Sequence, residues 1–333
     1  VTDDPLVREQ LIRQTAAGED RRDVATRVVR QVVVFVLFLA FLGALYTGYK
    51  AAGQALDDRQ TDWWAIGSVL PRSDDLNMPP ISDIFSAFAT DASGTDSTFG
   101  RLLFDEALFT LREAAVGFAV GVAVGLAIAI LLARSRRLEA GLLPYVIASQ
   151  TIPIIAIAPI IIIWGRQNFD FLPWEWQDWM SVSIIATFLT FFPVAVNGLR
   201  GLQSPKPENM ELMASYAAGW GQTLWRLRLP ASLPYLFAAL KIAATASIVG
   251  AIVGEISAGV GGGLGRRIFL EAQRYTTGPE RLYAAVIGSA VLGIFVFLVI
   301  TFAERVALPR NGATVGLIEE SQNGPPGWVR LRA

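Results

Sequence analysis

The sequence predicts an all-α integral membrane protein with six transmembrane helices and a cytoplasmic helix–turn–helix between the fourth and the fifth. Of its 333 residues, 53% are hydrophobic. Six apolar stretches have the length, about 20 residues, that a helix needs to cross the hydrocarbon core of a bilayer. Between two of them lies a polar segment, Glu211–Pro234, which reads ELMASYAAGWGQTLWRLRLPASLP.

The six predicted spans are apolar runs with almost no charged residues. Lys241, in the fifth run, is the one charge that they contain. We expect the second span to begin earlier than its apolar run, near Asp105, as a partly exposed helix. The runs are Gln31–Tyr49, Ala114–Ala133, Ala140–Gly165, Trp179–Leu199, Leu229–Gly254 and Leu282–Ala303.

The basic residues predict the orientation of these spans, because cytoplasmic loops carry an excess of lysine and arginine. With the N-terminus inside, seventeen basic residues flank the spans on the cytoplasmic side and eight on the other, not counting Lys50 and Arg112 at the ends of the first and second spans. Both termini and the polar segment are then cytoplasmic. We expect an N-terminal extension over 1–30, a transmembrane domain over 31–310 and a cytoplasmic tail over 311–333.

Composition excludes several kinds of protein. The net charge of −1 gives no basic surface for nucleic acid. Because cysteine and histidine are both absent, thiolate metal sites and histidine-based catalysis are excluded. A phosphate-binding loop needs a Gly-Lys pair, and none of the lysines, Lys50, Lys206 and Lys241, follows a glycine. We therefore expect this chain to bind no cofactor and to hydrolyse no ATP itself.

The polar segment predicts two short helices joined by a turn. Pro205 and Pro207 suit a helix start, since a first turn does not need the missing N–H. Gly219 and Gly221 interrupt the pattern, and Pro230 and Pro234 are expected to end the unit. A helix lying on the membrane surface is the alternative interpretation. Apolar side chains recur at spacings of three and four, which marks one helix face: Met213, Tyr216, Trp220, Leu224 and Leu227.

Small residues and prolines mark two of the spans. Gly117, Gly121 and Gly125 form a repeated G-x-x-x-G, which lets a neighbouring helix approach closely, either within the chain or across a dimer. In the third span, Pro153 and Pro159 predict a kinked helix that lines a cavity.

Polar groups in the later spans have two possible roles each. Lys241 either faces a cavity or a partner or, by extending along the helix, reaches the cytoplasmic surface. Asn197 needs a partner within the protein or from a solute. Glu255 precedes the glycine-rich SAGVGGGLGRR, which indicates a flexible gate or an ordinary polar cap.

The polar segment resembles a loop of known form. The integral-membrane subunits of binding-protein-dependent ABC importers carry E-A-A, three residues, G, nine residues and I-x-L-P. Here Glu211 starts the motif and Leu227-Arg228-Leu229-Pro230 closes it. The family glycine falls on Ala217, with Gly219 two residues later, and the second alanine falls on Met213.

Further motifs resemble the nitrate, sulfonate and taurine branch of these permeases. They are I-P, A-x-x-P and W-G in the third span, F-P-x-x-x-N-x-x-x-G from Phe192 to Gly201, Glu255, and G-L-G from Gly263 to Gly265. The run after Pro234 is also similar to permeases for thiamine-precursor pyrimidines and riboflavin. The resemblance covers roughly 105–305.

The resemblance implies a permease of the type I importer fold in the inner membrane. Its partners would be a second permease copy, two ATPase subunits, a periplasmic or lipid-anchored solute-binding protein and membrane lipid, without nucleic acid. The substrate would be a small oxyanion or sulfonate, with a pyrimidine or riboflavin-like solute as the alternative. The docking residues for an ATPase would be Glu211, Ala214, Tyr216, Ala217, Gly219, Trp220 and Pro230, with Tyr216 and Trp220 as anchors.

The candidate path residues are the polar groups and prolines of the later spans: Gln150, Thr151, Pro153, Pro159, Thr190, Asn197, Lys241, Thr245 and Glu255. A secondary transporter or channel is the rival class. It would need intramembrane carboxylates or an inverted repeat, and the predicted spans hold no Asp or Glu before Glu255.

Overall fold

The chain is described here from a computed structural model, which covers residues 30, 33–55, 73–92, 97–168, 175–259 and 261–308. Apart from one antiparallel bridge between Asp91 and Thr98, these residues form helices and turns, in agreement with the predicted all-α class. The predicted extension over 1–30, except residue 30, and the tail over 311–333 lie outside the described residues. The chain divides into two units.

The first unit contains helix α1 (Val33–Ala55) and the short helix α2 (Ile81–Ala87). The Tyr46 hydroxyl donates a hydrogen bond of 2.9 Å to the carbonyl of Pro79, which ties α1 to the segment before α2. Lys50 pairs with Asp75 at 2.7 Å. Because of this ammonium group, the pKa of Asp75 lies below its usual value.

The second unit contains the remaining described helices. They are α3 (Phe99–Ala133), α4 (Arg136–Ala148), α5 (Ile154–Asn168), α6 (Asp178–Leu202), α7 (Pro207–Ser215), α8 (Trp220–Thr223), α9 (Leu229–Ala258), α10 (Leu264–Gln273) and α11 (Pro279–Ala307). Within the described ranges, five segments are long and apolar enough to cross a membrane: α1, α3, α6, α8 joined to α9, and α11. A sixth arises if α4 and α5 cross together as one broken span.

The third predicted span, Ala140–Gly165, is not the single kinked helix that we expected. A 3₁₀ turn over Ser149–Thr151 separates α4 from α5, and the two helix axes differ by 93°. Ile152, with φ −75° and ψ 121°, is extended because it precedes Pro153. Pro159, in contrast, is accommodated inside α5. One proline therefore breaks the span and the other does not.

The glycine repeat of α3 packs against α6 within the chain, which confirms the first of its two predicted roles. A Cβ atom at Gly117 would lie 2.4 Å from Cβ of Ala186, and one at Gly121 would lie 2.5 Å from Cβ of Thr190. Gly125 approaches the carbonyl of Phe191 in the same way. The two backbones therefore meet at a distance that only glycine permits.

Helix α9 also approaches α6 through glycines. A Cβ atom at Gly250 would lie 2.8 Å from Cα of Ala186, and Gly254 lies against Val182. The hydroxyl of Thr190, fully buried between these helices, donates to the carbonyl of Ala186 at 2.8 Å. Helix α6 is thus the central helix of the unit, packed between α3 and α9.

We predict that Gly121→Ala destabilises the protein. The added Cβ would have to displace Thr190 and a backbone carbonyl of α6, and overpacking of this kind costs on the order of 1–3 kcal/mol. The measurement is the thermal unfolding temperature of the purified chain in detergent. Gly293→Ala in α11 is the matched control, because no atom of the described residues, apart from the adjoining backbone of α11 itself, lies within 4 Å of its new Cβ. Equal unfolding temperatures for the two variants would contradict the packing assignment.

Candidate functional site

The segment between α6 and α9 forms the predicted helix–turn–helix. Helix α7 ends at Tyr216, where the N–H groups of Ala217 and Ala218 donate to the carbonyls of Ala214 and Met213 at 2.9 and 3.0 Å. This pair of bonds is a Schellman motif, which requires a left-handed residue after the helix. Ala217 occupies that position with φ 51°. The glycine of the family motif falls on this same residue, so the turn geometry survives the loss of the glycine.

The second helix continues into the membrane span, whereas the sequence predicted that Pro230 and Pro234 would end it. Helix α8 begins after Gly219, whose N–H is capped by the Gln222 side chain at 3.3 Å. A π-helical turn over Leu224–Arg228 then leads directly into α9. The wider turn accommodates Pro230, which lacks an N–H to donate. Trp220–Ser257 is therefore one continuous helical segment of 38 residues.

Helix α7 presents its side chains to the exterior. None of its residues is buried. Tyr216, which follows it, is 77% exposed, and Trp225, on the π-helical turn, is 73% exposed. Leu212 is also exposed. The described residues do not cover these apolar side chains.

Trp220 lies differently from the single apolar face that the sequence predicted. The turn at Tyr216–Gly219 separates that face into two parts, and Trp220 packs against the buried cluster that contains Leu132 and Leu224. The Arg134 guanidinium lies 5.0 Å from the centre of its ring. Of the predicted docking residues, the other six are exposed: Glu211, Ala214, Tyr216, Ala217, Gly219 and Pro230. The sequence did not indicate Trp225, because its position does not fit the spacing of three and four residues that defined the predicted apolar face.

A cavity of about 470 Å³ lies beside α7. Its charged lining comes from Arg136, Glu139 and Arg228, and Met210 of α7 forms part of its wall. The Nε atom of Arg228 is buried and has no acceptor. The helix–turn–helix is therefore bordered by open space as well as by exposed apolar side chains.

The candidate path residues do not form one cluster. Thr151, Pro153 and Pro159 lie exposed on the broken segment of α4 and α5. Gln150, beside them, buries its Nε2 atom without a partner. The others bond within the chain: Thr190 bonds within α6, Asn197 donates to the carbonyl of Pro193, and Thr245 donates to the carbonyl of Ile242.

Lys241 has a charged partner on α11. Its Nζ atom lies 2.8 Å from a carboxylate oxygen of Glu304 on α11. Both side chains are about a quarter exposed. Since a charge within a span is costly unless it is paired, this ion pair gives Lys241 a structural explanation. Glu304 lies one residue beyond the predicted sixth span, so the sequence did not indicate it.

An acidic network connects α3, α9 and the start of α10. One oxygen of Glu255 accepts from the Thr110 hydroxyl at 2.7 Å, and the other accepts from the N–H of Gly265 at 2.6 Å. Thr110 in turn accepts from the N–H of Leu264 at 2.8 Å, and Glu106 accepts from the N–H of Gly263. Three successive N–H groups at the N-terminus of α10 are thus satisfied by side chains, which that end of a helix requires.

The glycines of this loop are explained by the same network. Gly263 has φ 99°, and a Cβ atom there would lie 2.2 Å from the carboxyl carbon of Glu255. A Cβ at Gly265 would lie 2.3 Å from the carbonyl oxygen of Ile252. Glu255 is therefore a polar cap for α10, one of its two predicted roles.

Glu113 is the member of the network that the sequence analysis missed. Helix α3 begins at Phe99, well before the predicted run at Ala114, so that Glu106 and Glu113 lie within the helix. The side chain of Glu113 is fully buried, and neither of its oxygens accepts a hydrogen bond from any N–H or O–H group of the described residues. Its carboxyl group interacts directly with that of Glu255. Buried carboxylates are therefore present, contrary to the expectation that the helices hold none before Glu255.

Comparison with known proteins identifies the family. Residues 121–307, more than half of the chain, match the binding-protein-dependent transport system inner membrane component family. The chain belongs to this family. The expected kinship with ABC importer permeases is confirmed.

Curated relatives are permeases for chemically different solutes. The chain is 33% identical over 211 residues to the formylaminopyrimidine transport permease protein ThiX of Halalkalibacterium halodurans, covering 62% of this chain and 78% of that protein. It is 28% identical over 216 residues to a putative aliphatic sulfonates transport permease protein, SsuC, of Bacillus subtilis, covering 63% and 74%. It is 37% identical over 158 residues to the riboflavin transport system permease protein RibX of Chloroflexus aurantiacus, covering 47% and 55%.

A solved structure supports the fold. The permease chain resembles a chain of the MetNI methionine ABC transporter in an inward-facing conformation, with a TM-score of 0.55. The likeness covers 63% of this chain and 97% of that one, at 18% sequence identity. At this identity the likeness concerns the fold alone.

We predict that Ala217→Gly stabilises the turn of the helix–turn–helix. A left-handed conformation costs a non-glycine residue about 1–2 kcal/mol, part of which glycine gives back through its freedom in the unfolded chain. A gain of up to about 1 kcal/mol should slow amide hydrogen exchange at 216–219. Ala214→Gly, inside α7, is the control and should accelerate exchange. Faster exchange in Ala217→Gly would refute the assignment of strain to this residue.

We also predict that Lys241 and Glu304 depend on each other. Lys241→Met or Glu304→Gln alone leaves a charge without its partner within the bilayer, at a cost on the order of 1–3 kcal/mol. The yield of folded permease should fall in each single variant and recover in the double variant. If the two losses simply add, the ion pair does not explain why Lys241 is present.

Proposed function

We propose that this chain is the permease subunit of an ATP-driven importer and that the helix–turn–helix is the surface on which an ATPase subunit docks. The observation that carries the proposal is that α7, in a chain of this family, has no buried residue. A nine-residue helix with no buried residue is marginal by itself. A partner that covers its apolar side chains would account for its presence.

The docking surface consists of Leu212, Tyr216 and Trp225. Tyr216 and Trp225 are the large aromatic groups among them, and such side chains often dominate binding energy when they enter a pocket of a partner. Trp220 instead packs against the bundle. It can therefore position the docking surface without being its anchor. We thus assign the anchor role to Tyr216 and assign a positioning role to Trp220.

The chain needs such a partner because it has no nucleotide site of its own. None of its three lysines follows a glycine, as a phosphate-binding loop requires. Two ATPase subunits would serve a homodimer of the permease, with both termini and the docking surface in the cytoplasm. A solute-binding protein would deliver the solute on the other side. The exposed broken segment of α4 and α5, with Gln150 and Thr151, is the part of the path that remains available to solute.

The pairing of Lys241 bears on the kind of solute. A small oxyanion or sulfonate would be held best by an unpaired cation, and Lys241 is neutralised by Glu304. We therefore favour the alternative, a small heteroaromatic solute of the pyrimidine or riboflavin type. The relative named for formylaminopyrimidine supports this choice.

A secondary transporter is the rival function, and the buried pair of Glu113 and Glu255 is the feature in its favour. Membership in a family of binding-protein-dependent permeases does not favour it. The carboxylate of Glu255 is also engaged with the N-terminus of α10, where it accepts from the N–H of Gly265.

We predict that Tyr216→Asp removes the ATPase subunit from the purified complex while the permease still inserts. Loss of an aromatic anchor costs on the order of 2–4 kcal/mol at an interface. The measurement is the amount of co-purified ATPase per correctly inserted permease.

Phe85→Asp is the matched control. Phe85 is an exposed aromatic residue on α2, outside the helix–turn–helix, and its substitution should leave the ratio unchanged. If α7 instead lies on the membrane surface, Tyr216→Asp would lower insertion and leave the ratio as it was. That outcome would reject the docking proposal.

A further inference from the structure

The charge state of the buried pair Glu113 and Glu255 requires an explanation. Glu113 and Glu255 both have no solvent exposure. The Thr110 hydroxyl, which donates to Glu255, lies on α3 one helical turn before Glu113, and the Glu255 carboxyl group is the interaction partner of Glu113. Two buried carboxylates that interact in this way cannot both remain ionised without a proton or a cation between them. Something must therefore occupy the position between the two groups.

The hydrogen-bond donors around the pair decide which group is ionised. Both oxygens of Glu255 accept hydrogen bonds, one from the Thr110 hydroxyl and one from the N–H of Gly265. This arrangement suits a carboxylate, which only accepts. No donor of the described residues reaches the oxygens of Glu113. A protonated Glu113, which donates to Glu255, satisfies both residues.

A metal ion fits the pair less well than a proton. Calcium and magnesium take six or more oxygen ligands, and no group of three acidic, histidine or cysteine residues in the described part of the chain converges on a metal position. The other charged groups nearby already have roles. Glu106 and Glu271 contact Arg267 at 3.4 Å, and Arg112 lies over the ring of Trp179 at 4.1 Å.

We propose that Glu113 and Glu255 form a binding site for one shared proton, and that this proton keeps the loop between α9 and α10 attached to α3. The proton resides on Glu113 and is donated to Glu255. The ionised Glu255 then holds the N-terminus of α10, where negative charge is favourable. When the proton leaves, two adjacent charges repel each other and the contacts to Leu264 and Gly265 weaken.

This site goes beyond the proposed function, because importing a solute by ATP hydrolysis does not require it. Its consequence for transport does rest on that function. In an importer, the loop lies on the side from which the solute-binding protein delivers, so that deprotonation would loosen the entrance to the path.

The test is infrared difference spectroscopy of the purified chain in detergent, which detects the carbonyl stretch of a protonated carboxyl group. We expect a buried carboxylic acid band near neutral pH that is lost in Glu113→Gln and kept in Glu208→Gln. Glu208, in the exposed helix α7, is the matched control. Absence of the band in the wild type, or its persistence in Glu113→Gln, would overturn the proposal.

A second measurement on the wild type keeps the result independent of how the variant folds. As pH is raised, the band should disappear in parallel with faster hydrogen exchange at Leu264 and Gly265. If exchange is instead sensitive to sodium at constant pH, the pair binds a cation and the proposal is wrong. Neither measurement involves an ATPase or a solute, so failure here leaves the importer function untouched, and the reverse also holds.

Discussion

Close contact between helix backbones at α6 is the constraint on which this structure depends. Lipid gives apolar helices little reason to associate, so association relies on packing and on hydrogen bonds between helices. Glycines of α3 and α9 bring both backbones against α6. The hydroxyls of Ser183 and Thr187 then reach carbonyls of α3 at 3.1 and 3.2 Å. The acidic network depends on this arrangement, because it joins side chains of α3 and α9, which both pack against α6.

Local sequence patterns were enough to locate the helices but not their ends. Hydrophobic runs predicted each span because apolar composition is a property of consecutive residues. The early start of α3 was underestimated, since Glu113 interrupts the run although the helix continues through it. The prolines gave the same local signal at Pro153 and Pro159, yet only Pro153 breaks the span. Its effect depends on the turn that precedes it, which no periodicity records.

The functional features that the sequence predicted are likewise those that depend on adjacent residues, and those that it missed depend on contacts between distant parts of the chain. The motif from Glu211 to Pro230 identified the helix–turn–helix, and even located the strained Ala217, because a turn of this kind is encoded by adjacent residues. The partners of Lys241 and Glu255 lie far away in the chain: Glu304 is 63 residues from Lys241, and Thr110 is 145 residues from Glu255. Contacts at such separations follow from the fold and not from spacing, so Glu113 could not be recognised before the helices were packed.

The uninterrupted segment from Trp220 to Ser257 has a mechanical consequence. At a rise of about 1.5 Å per residue, its 38 residues form a rod about 57 Å long. The rod carries Trp220 near one end and Glu255 near the other. Pivoting about its contact with α6 would turn a tilt of a few degrees into a displacement of about 1–2 Å at each end. The rod therefore acts as a lever. A force applied to the turn beside Trp220 would move Glu255 and strain the hydrogen bonds that hold α10.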